Sequence, residues 1–597
     1  MALLLVGGAS RVSAQEDSLG IYHKIEHFAA KHKVTQWIYD AIFIPTVAAD
    51  APQAEEHPKR RRNPALKYAG RPVRHIDIHV MDPFGYSVLD TSKSPTNKIQ
   101  QVGNALHRRT RERIIRNLML LKEGDAIDPL KVTESERVLR ASPVVNDASV
   151  KVVPVKGVRD SVDVIVMVLD KWNFDVYGEG DLGSVSATFR DRNLLGYGQE
   201  VGQSVVYIPG SPKVELDGHH SVYNIRKSYI SSRLSYFTSA DVDRVGISLD
   251  RGFYSPLARW AGGVAVGKSW ANDVRTDTLT DEVTTYRIAP VSTDVWLARS
   301  FKLDQGESRA DQSSNIIVGA RYAQVRYARR TPFDVDTLRL NSNTSLALVS
   351  AGLSFRQYYK DRYLYRFGAN EDIPEGSLIT VTTGLRKREL ERTTPYSGVE
   401  ISRGGNTEDF GYLSGRVAYG TFYDRGRAVD GTLRVDLDHF TDLVELGRWH
   451  LRQFVRARGV IGFNKPIYLR QNISGSELYG FDGQALSGTY KLLLNLETVM
   501  YMPYTLLGFR FAPIVLIGLG TVGQEDEALF SNTIYPAFSL GVLVRNENLL
   551  VKTFEVSVGY TPKQTDGTTS LFKLNPSISF SLNVRDFAFA RPDVVSF

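Results

Sequence analysis

The chain has 597 residues, no cysteine and a formal net charge of +7, and 42% of its residues are hydrophobic. The lack of cysteine excludes a disulfide-stabilised scaffold and a cysteine-ligated metal site. Glycine (49), tyrosine (29) and phenylalanine (27) are abundant, and no apolar run reaches the ~18 residues that a membrane helix needs. This composition favours a glycine- and aromatic-rich β protein, in which strands of only ~9–11 residues could still cross a membrane.

The first 72 residues predict an export signal, a helix and a linker. Residues 1–14 resemble a secretory signal, with an apolar start and small residues before the expected cleavage site. Within residues 15–72, helical spacing from Ser18 to Phe43 predicts an amphipathic helix, and Lys59–Arg62 is a basic run in a linker. The run could bind nucleic acid or anionic headgroups, but a solvated linker is the simpler interpretation, and export excludes nucleic acid as a partner.

Residues 73–171 predict a small α+β domain. An alternating strand at Arg74–Val80 is followed by a helix at Thr110–Leu121 and by another that starts at Asp128-Pro129, where aspartate caps the helix and proline occupies its first turn. Two alternating strands follow at 149–155 and 161–169. This order predicts a sheet covered by two helices, with an open edge strand to which an extended polypeptide could add.

From residue 172 to 597 helical periodicity disappears, and apolar residues alternate with polar ones, as Val245, Ile247 and Leu249 do. A soluble sandwich would show the same alternation, but a chain of this length should then contain repeated domains, and none is visible. A single transmembrane antiparallel barrel of about 16 strands fits better. On that interpretation Arg452, Arg456 and Arg458 share one face and form a positive wall inside the lumen, since arginine facing lipid is costly.

Several motifs resemble a known family. Residues 116–118 (RNL), 123–125 (EGD) and 136–139 (ERVL) resemble a POTRA domain, and residues 192–199 (RNLLGYGQ) and 250–263 resemble connections of the BamA/TamA-type outer-membrane protein assembly family, or bacterial surface antigen superfamily. Gly475–Phe481, followed by Glu497 and Pro503, resembles the loop that this family inserts into its lumen. The resemblance covers Val73–Phe597.

The resemblance implies a bacterial outer-membrane barrel whose N-terminal part lies in the periplasm, and which assists insertion or translocation of client proteins without cofactor, metal or catalytic residue. Its partners would be outer-membrane lipids, unfolded client proteins and accessory periplasmic or lipoprotein subunits. The lumen loop would involve Gly475, Tyr479, Gly480 and Phe481. The barrel would close at a lateral seam between the first strand (about 183–190; Val185, Ala187, Phe189) and the last (about 577–585; Ile578, Phe580, Leu582), and Phe597 would serve as a C-terminal assembly signal.

Two features depart from the family pattern. Tyr479 stands where the family loop usually carries arginine, so the expected cation-to-carboxylate contact inside the barrel must be replaced or absent. One POTRA-like domain is present where the central assembly factor usually has several, so an accessory insertase, a dedicated transporter and a paralogue of another role stay open.

Two other classes of function remain as alternatives. A passive pore or uptake channel would share the barrel but has no need of a POTRA-like domain. An outer-membrane enzyme is disfavoured, since the sequence contains no nucleophile elbow, no HExxH and no Walker loop. The HKIEH match at residues 23–27 lacks a third ligand and predicts no metal site.

Overall fold

The computed structural model describes residues 63–597 apart from short gaps at 89, 97, 156, 158–159, 181–183, 277–281, 304–312, 365–369, 408, 467, 476, 479–480, 482, 507–508, 530, 547–553, 564–569 and 576–583. The predicted export signal, amphipathic helix and basic run therefore lie outside the described residues.

The first folded unit is the predicted α+β domain. A 3-10 turn at Pro64–Tyr68 leads into strand β1 (Val73–Met81), three helices and a strand pair, and the sheet has the order β1-β3-β2 with β1 parallel to β3. The remaining elements are α1 (Lys98–Leu106), α2 (Glu112–Leu118), α3 (Pro129–Ala141), β2 (Val145–Pro154) and β3 (Val162–Asp170). The helix α1 was not predicted, because it has only nine residues, with a glycine and few large apolar side chains among polar ones.

The central strand β3 organises the core of this domain. Its alternate residues Val162, Val164, Val166 and Val168 are fully buried, and they pack in one cluster with Ile115 of α2 and other apolar residues of the helices. The start of α3 follows the predicted pattern, since the Asp128 side chain accepts a hydrogen bond from the Leu130 amide at 2.9 Å.

Neither outer strand of this sheet offers an unobstructed edge. On β2, Glu136 accepts from the Val150 amide at 2.9 Å and Arg140 donates to the Ala148 carbonyl at 3.1 Å. On β1, Glu123 accepts from the Ile76 amide at 3.1 Å. The expectation of an open edge is therefore wrong over these stretches, because charged side chains of the domain already bind the backbone groups that a client strand would need.

The second unit is a closed antiparallel barrel, which confirms the predicted fold class. Its strands are β4 (Phe174–Gly180), β5 (Val185–Asp191), β6 (Gln199–Tyr207), β7 (Glu215–Val222), β8 (Ser231–Thr238), β9 (Val242–Arg251), β10 (Trp260–Thr276), β11 (Val283–Ile288), β12 (Pro290–Lys302), β13 (Ser314–Tyr327), β14 (Thr344–Asp361), β15 (Glu371–Arg388), β16 (Thr394–Thr407), β17 (Gly411–Asp424), β18 (Arg427–Phe440), β19 (Val444–Leu446), β20 (Trp449–Phe463), β23 (Tyr490–Tyr501), β24 (Thr505–Leu506), β25 (Phe509–Gly523), β26 (Tyr535–Asn546), β27 (Phe554–Thr561) and β28 (Ser570–Asn575). A separate two-stranded sheet, β21 (Gln471–Ile473) with β22 (Gly483–Gly488), lies in the connection between β20 and β23.

Three short elements, β11, β19 and β24, continue a neighbouring strand after a break, because each shares its pairing partner with that strand. Counted this way, the described residues form a barrel of twenty strands. The number exceeds the estimate of about 16 because strands and connections are shorter on average than the ~25 residues assumed for each pair of strand and connection.

The outer face of the barrel is apolar. On strand after strand, alternate residues project large exposed aliphatic side chains outward, among them Val245, Ile247, Leu249, Ile316, Val318, Ile379, Val381, Val399, Ile401, Val435, Leu437, Val515, Ile517 and Leu519. Their inward neighbours include arginine, aspartate, glycine and serine. An apolar belt of this extent, around a polar interior, has the pattern of a lipid-facing barrel.

Among the described residues, no helix is both long and apolar enough to cross a membrane.

The α+β domain packs against one rim of the barrel, which we call the docked end; the opposite rim is the distal end. Arg140 pairs with Asp372 at 2.6 Å, beside the turn that joins β14 to β15. Tyr229, in the connection from β7 to β8, donates to the Leu118 carbonyl at 3.2 Å, and the Arg111 amide donates to the Gly196 carbonyl at 3.0 Å. The motif at 192–199 therefore links β5 to β6 and contacts the domain.

Candidate functional site

The barrel closes between its first and last strands, β4 and β28. The expected first strand, about 183–190, is instead the second, since β5 pairs with β4 on one side and β6 on the other. Val185, Ala187 and Phe189 therefore lie one strand away from the seam, with Val185 and Phe189 exposed on the outer face. The sequence prediction was wrong here because residues 174–180 alternate only weakly and end in Gly-Glu-Gly. They were therefore not recognised as a strand.

The other half of the expected seam was placed at about 577–585. Ile578, Phe580 and Leu582 lie outside the described residues, and the strand that pairs with β27 is β28, which ends at Asn575. Arg585 belongs to no strand. Phe597 lies inside the barrel, with its ring centroid 4.2 Å from Lys465 Nζ, and its expected role as a C-terminal assembly signal stays a prediction.

The described part of the connection from β20 to β23, residues 464–489, folds into the lumen from the distal end. Ile473, Leu478 and Phe481 are almost completely buried and pack against Leu493 and Ala537 of the wall. The Phe481 ring lies 4.9 Å from that of Tyr535. Gly475 is exposed, while Tyr479 and Gly480 fall outside the described residues. We call residues 464–489 the lumen loop.

Small residues on the wall make room for the lumen loop. A Cβ atom at Gly518 of β25 would lie 2.5 Å from Leu478 Cδ1, and one at Gly520 would lie 2.8 Å from Ile473 Cδ1. Real Cβ atoms almost never come this close to another atom. The wall is therefore shaped for the apolar side of the loop.

A charge contact also joins the lumen loop to the wall, with Glu477 on the loop and Lys491 on β23. Lys491 Nζ lies 2.8 Å and 3.0 Å from the two Glu477 carboxylate oxygens, and it also donates to the Asn472 carbonyl at 2.9 Å. The Glu477 carboxylate accepts from the Ser474 amide at 3.0 Å, which fixes the turn. The contact expected from an arginine at position 479 thus has a counterpart of opposite polarity, with the anion on the loop and the cation on the wall.

Arg452, Arg456 and Arg458 all lie on the lumenal face of β20, but each faces a carboxylate. Arg452 is 1% exposed and binds Asp361 at 2.9 Å and the Arg362 carbonyl at 3.0 Å. The other two face neighbouring carboxylates, with Arg456 at 3.3 Å from Asp438 and Arg458 at 3.8 Å from Asp436. The expected positive wall is therefore wrong: charges of both signs alternate around the lumen, which lowers the cost of holding arginine there.

A second occupant of the lumen was missed by the sequence analysis. Residues 584–597, which we call the lumenal segment, form no strand and lie along the inner wall, with Phe587 and Phe589 buried. Phe587 and Phe589 alternate with alanines, as residues of a barrel strand do. Pro592 and four charged residues within nine positions were the contrary signals, because proline and lumen-bound charges of both signs suit a segment without ladder hydrogen bonds.

No family model and no curated protein matches the chain. Solved structures to which it is similar include BamA from Haemophilus ducreyi lacking POTRA domains 1-3, at 13% identity, with 84% of each chain covered and a TM-score of 0.32. CdiB from Acinetobacter baumannii is 12% identical, with 94% of this chain and 98% of that chain covered and a TM-score of 0.34. CdiB from Escherichia coli is 11% identical, with 96% and 98% covered and a TM-score of 0.37. At such values the likeness assigns neither a family nor a function.

Proposed function

We propose that the chain is an outer-membrane barrel that assists the insertion or translocation of client proteins, by opening laterally at the seam between β4 and β28 and by receiving clients at its docked α+β domain. Its partners would be outer-membrane lipids, unfolded client proteins and accessory periplasmic or lipoprotein subunits. The proposal follows from the apolar outer belt, the docked domain and, above all, from an asymmetry in the height of the barrel wall.

The wall is low beside the seam and high opposite it. Strands β5, β7 and β8 have 7, 8 and 8 residues, whereas β14 and β15 have 18 each. At ~3.4 Å per residue and a tilt of about 45°, the short strands span about 17–19 Å and the long ones about 43 Å. The apolar band of an outer-membrane barrel is about 25 Å tall.

Beside the seam, therefore, the barrel is shorter than the bilayer that it must cross. Lipid next to a short wall must thin, which costs a fraction of a kcal/mol per Å of mismatch and disorders the bilayer locally. A client strand that pairs with β4 would enter the membrane where it is thinnest, with its backbone groups paired as hydrocarbon requires. A passive pore gains nothing from such an asymmetry.

The seam can be tested by locking it. A cysteine at Val176 of β4, combined in turn with single cysteines across Ser570–Asn575, identifies the register that forms a disulfide. We expect the locked protein to remain folded but to lose client assembly, measured by quantitative proteomics of outer membranes from cells that depend on the variant. Reduction of the disulfide should restore assembly. A locked protein that supports normal assembly would contradict lateral opening.

The passive-pore alternative predicts a different result in planar bilayers. The intact protein has two chain segments inside its lumen, so we expect low and fluctuating conductance. A large, steady conductance from the intact protein, with an unchanged outer-membrane proteome after depletion, would favour the pore.

A further inference from the structure

The lumenal segment crosses the lumen from the docked end to the distal end. Near its start, the Phe587 carbonyl accepts from Ser354 Oγ at 2.7 Å, on the half of β14 that is nearer the docked rim. Farther along, the Val595 amide donates to the Tyr396 hydroxyl at 2.8 Å, and Phe597 reaches Lys465 beyond the distal end of β20. Side chains of the wall hold the segment where it is described, and no ladder of backbone hydrogen bonds joins it to a strand.

Every charged residue of the lumenal segment meets the opposite charge on a wall strand. Arg585 binds a carboxylate of β16, Asp586 an arginine of β14, Arg591 a carboxylate of β12 and Asp593 an arginine of β13. The partners are Glu400 for Arg585, Arg356 at 3.0 Å for Asp586, Asp294 at 2.8 Å for Arg591 and Arg321 at 2.7 Å for Asp593. The charge pattern of the wall thus fixes the register of the segment as well as its direction.

The apolar side chains of the lumenal segment lie over glycines of the wall. A Cβ atom would come within 2.7 Å of Phe587 at Gly404, within 3.1 Å and 3.0 Å of Phe589 at Gly319 and Gly352, within 3.1 Å of Val595 at Gly420 and within 2.5 Å of Phe597 at Gly462. Phe253 closes the Phe589 pocket edge-on, with ring centroids 6.4 Å apart. The wall therefore carries a groove that is complementary to the segment in shape as well as in charge.

We propose that this groove is a binding site for an extended polypeptide that carries aromatic side chains at positions i and i+2 and arginine at i+4, and that the lumenal segment is its resident ligand. The segment supplies this pattern as Phe587, Phe589 and Arg591. The wall contacts the side chains of the segment and only isolated groups of its backbone. Another chain with the same spacing of side chains therefore makes the same contacts. As a statement about clients, this rests on the proposed function, since a client must enter the lumen to reach the groove.

Binding in trans tests the proposal. Residues 584–597 are removed from the full chain, and a fluorescent synthetic peptide of that sequence is titrated onto the purified barrel. We expect saturable binding to the shortened protein. Binding to the intact protein should be at least about tenfold weaker, because its groove is occupied. A peptide with alanine in place of both phenylalanines of the aromatic pair should lose roughly tenfold or more in affinity, because each fills a buried pocket.

A matched pair of glycine variants locates the site. In the shortened protein, Gly319→Ala should weaken peptide binding, because the new methyl group comes within 3.1 Å of the Phe589 ring, and its closest wall neighbour is the small Ala298 side chain at 3.0 Å. Gly415→Ala on β17 should not, since a Cβ atom there meets nothing within 4 Å. Equal affinities for the two variants, or for the peptide with and without its aromatic pair, would overturn the proposal.

If the shortened protein does not fold, the full chain with Phe587→Ala and Phe589→Ala provides the same test, since its weakened segment should be displaced by the peptide. No displacement from a folded double variant would then count against the groove. Peptide binding is measured on purified protein without any client, so a failed titration leaves lateral assembly at the seam unaffected, and a failed assembly assay leaves the groove unaffected.

Discussion

The lumen loop and the lumenal segment both lie inside the barrel, but they are held in different ways. The loop is continuous with β20 and β23 at its two ends and rests on an apolar cluster, with one ion pair between Glu477 and Lys491. The segment is held by charges on four different strands. From this difference we expect the loop to stay on the wall and the segment to be displaceable.

The largest expected effect concerns the apolar anchor of the loop. Phe481→Ala should destabilise the barrel by about 3–5 kcal/mol, because it empties a site that is 1% exposed. Urea unfolding of the reconstituted barrel measures this, and Phe410→Ala, at a position 73% exposed, serves as the control with little change. Phe589→Ala in the segment should cost the barrel much less. Equal losses of stability for Phe481→Ala and Phe589→Ala would contradict the proposed difference between the lumen loop and the lumenal segment.

A smaller effect is expected at the ion pair of the loop. Glu477→Gln removes the partner of Lys491, which is largely buried, and should cost about 1–3 kcal/mol. The double variant with Lys491→Met should recover part of this loss, because no buried charge then lacks a partner. Additive effects of the two substitutions in urea unfolding would show that the pair does not hold the loop.

Raised salt should release the lumenal segment from the wall, whereas the lumen loop should stay in place. Raising the salt concentration from 0.1 M to 1 M shortens the Debye length from about 10 Å to about 3 Å and weakens partly exposed charge pairs. Arg591 is half exposed and held by Asp294, so its release should expose the neighbouring Phe589, which is buried in the groove. We therefore expect chymotrypsin cleavage after Phe589 to rise severalfold, as measured by mass spectrometry. Asp294→Asn should raise cleavage already at low salt. Cleavage that is independent of salt would contradict a segment held by charge.

The smallest effect is expected at the docked end, where the α+β domain contacts the barrel. This contact is the reference with which the lumen loop and the lumenal segment are compared. Burial raises the pKa of Glu136, but the charges of Arg140 and Lys360 outweigh burial, so the pKa of this carboxyl lies below its usual value. A lowered pKa in the folded state stabilises docking above the unfolded pKa of about 4.3, and this contribution is lost as the pH falls through the folded value. Energy transfer between dyes on the domain and the barrel should therefore decrease below about pH 4, and Glu136→Gln should reduce that pH dependence.

The sequence predicted the features that are encoded by residues adjacent in the chain. It did not predict those that depend on contacts between distant residues. The α3 start at Asp128-Pro129 and the buried alternation of β3 were predicted because capping and period-two patterns are encoded by adjacent residues. The Gly475–Phe481 motif led to the expectation of a lumen loop; of its residues, Phe481 is buried against the wall, whereas Tyr479 and Gly480 lie outside the described residues. By contrast, the inner pairing of Arg452 with Asp361 joins residues 91 positions apart, and no periodicity reveals it.

The lumenal segment shows the limit most clearly. Phe587 and Phe589 alternate with small residues as a barrel strand would, and only the wall glycines on several distant strands make the lumen a better place for them. The same holds for the seam, because β4 is recognised as a strand through its pairing with β5 and not through its own sequence.

Distance measurements between spin labels test most directly whether the segment exchanges while the loop stays. One label is placed at Leu390, an exposed distal position, and the second either at Ser596 of the segment or at Asn472 of the loop. We predict that the loop pair gives one narrow distance distribution under all conditions, whereas the segment pair gains a second, longer distance when the synthetic 584–597 peptide is added in excess. A segment pair that keeps a single distance at saturating peptide would contradict the account.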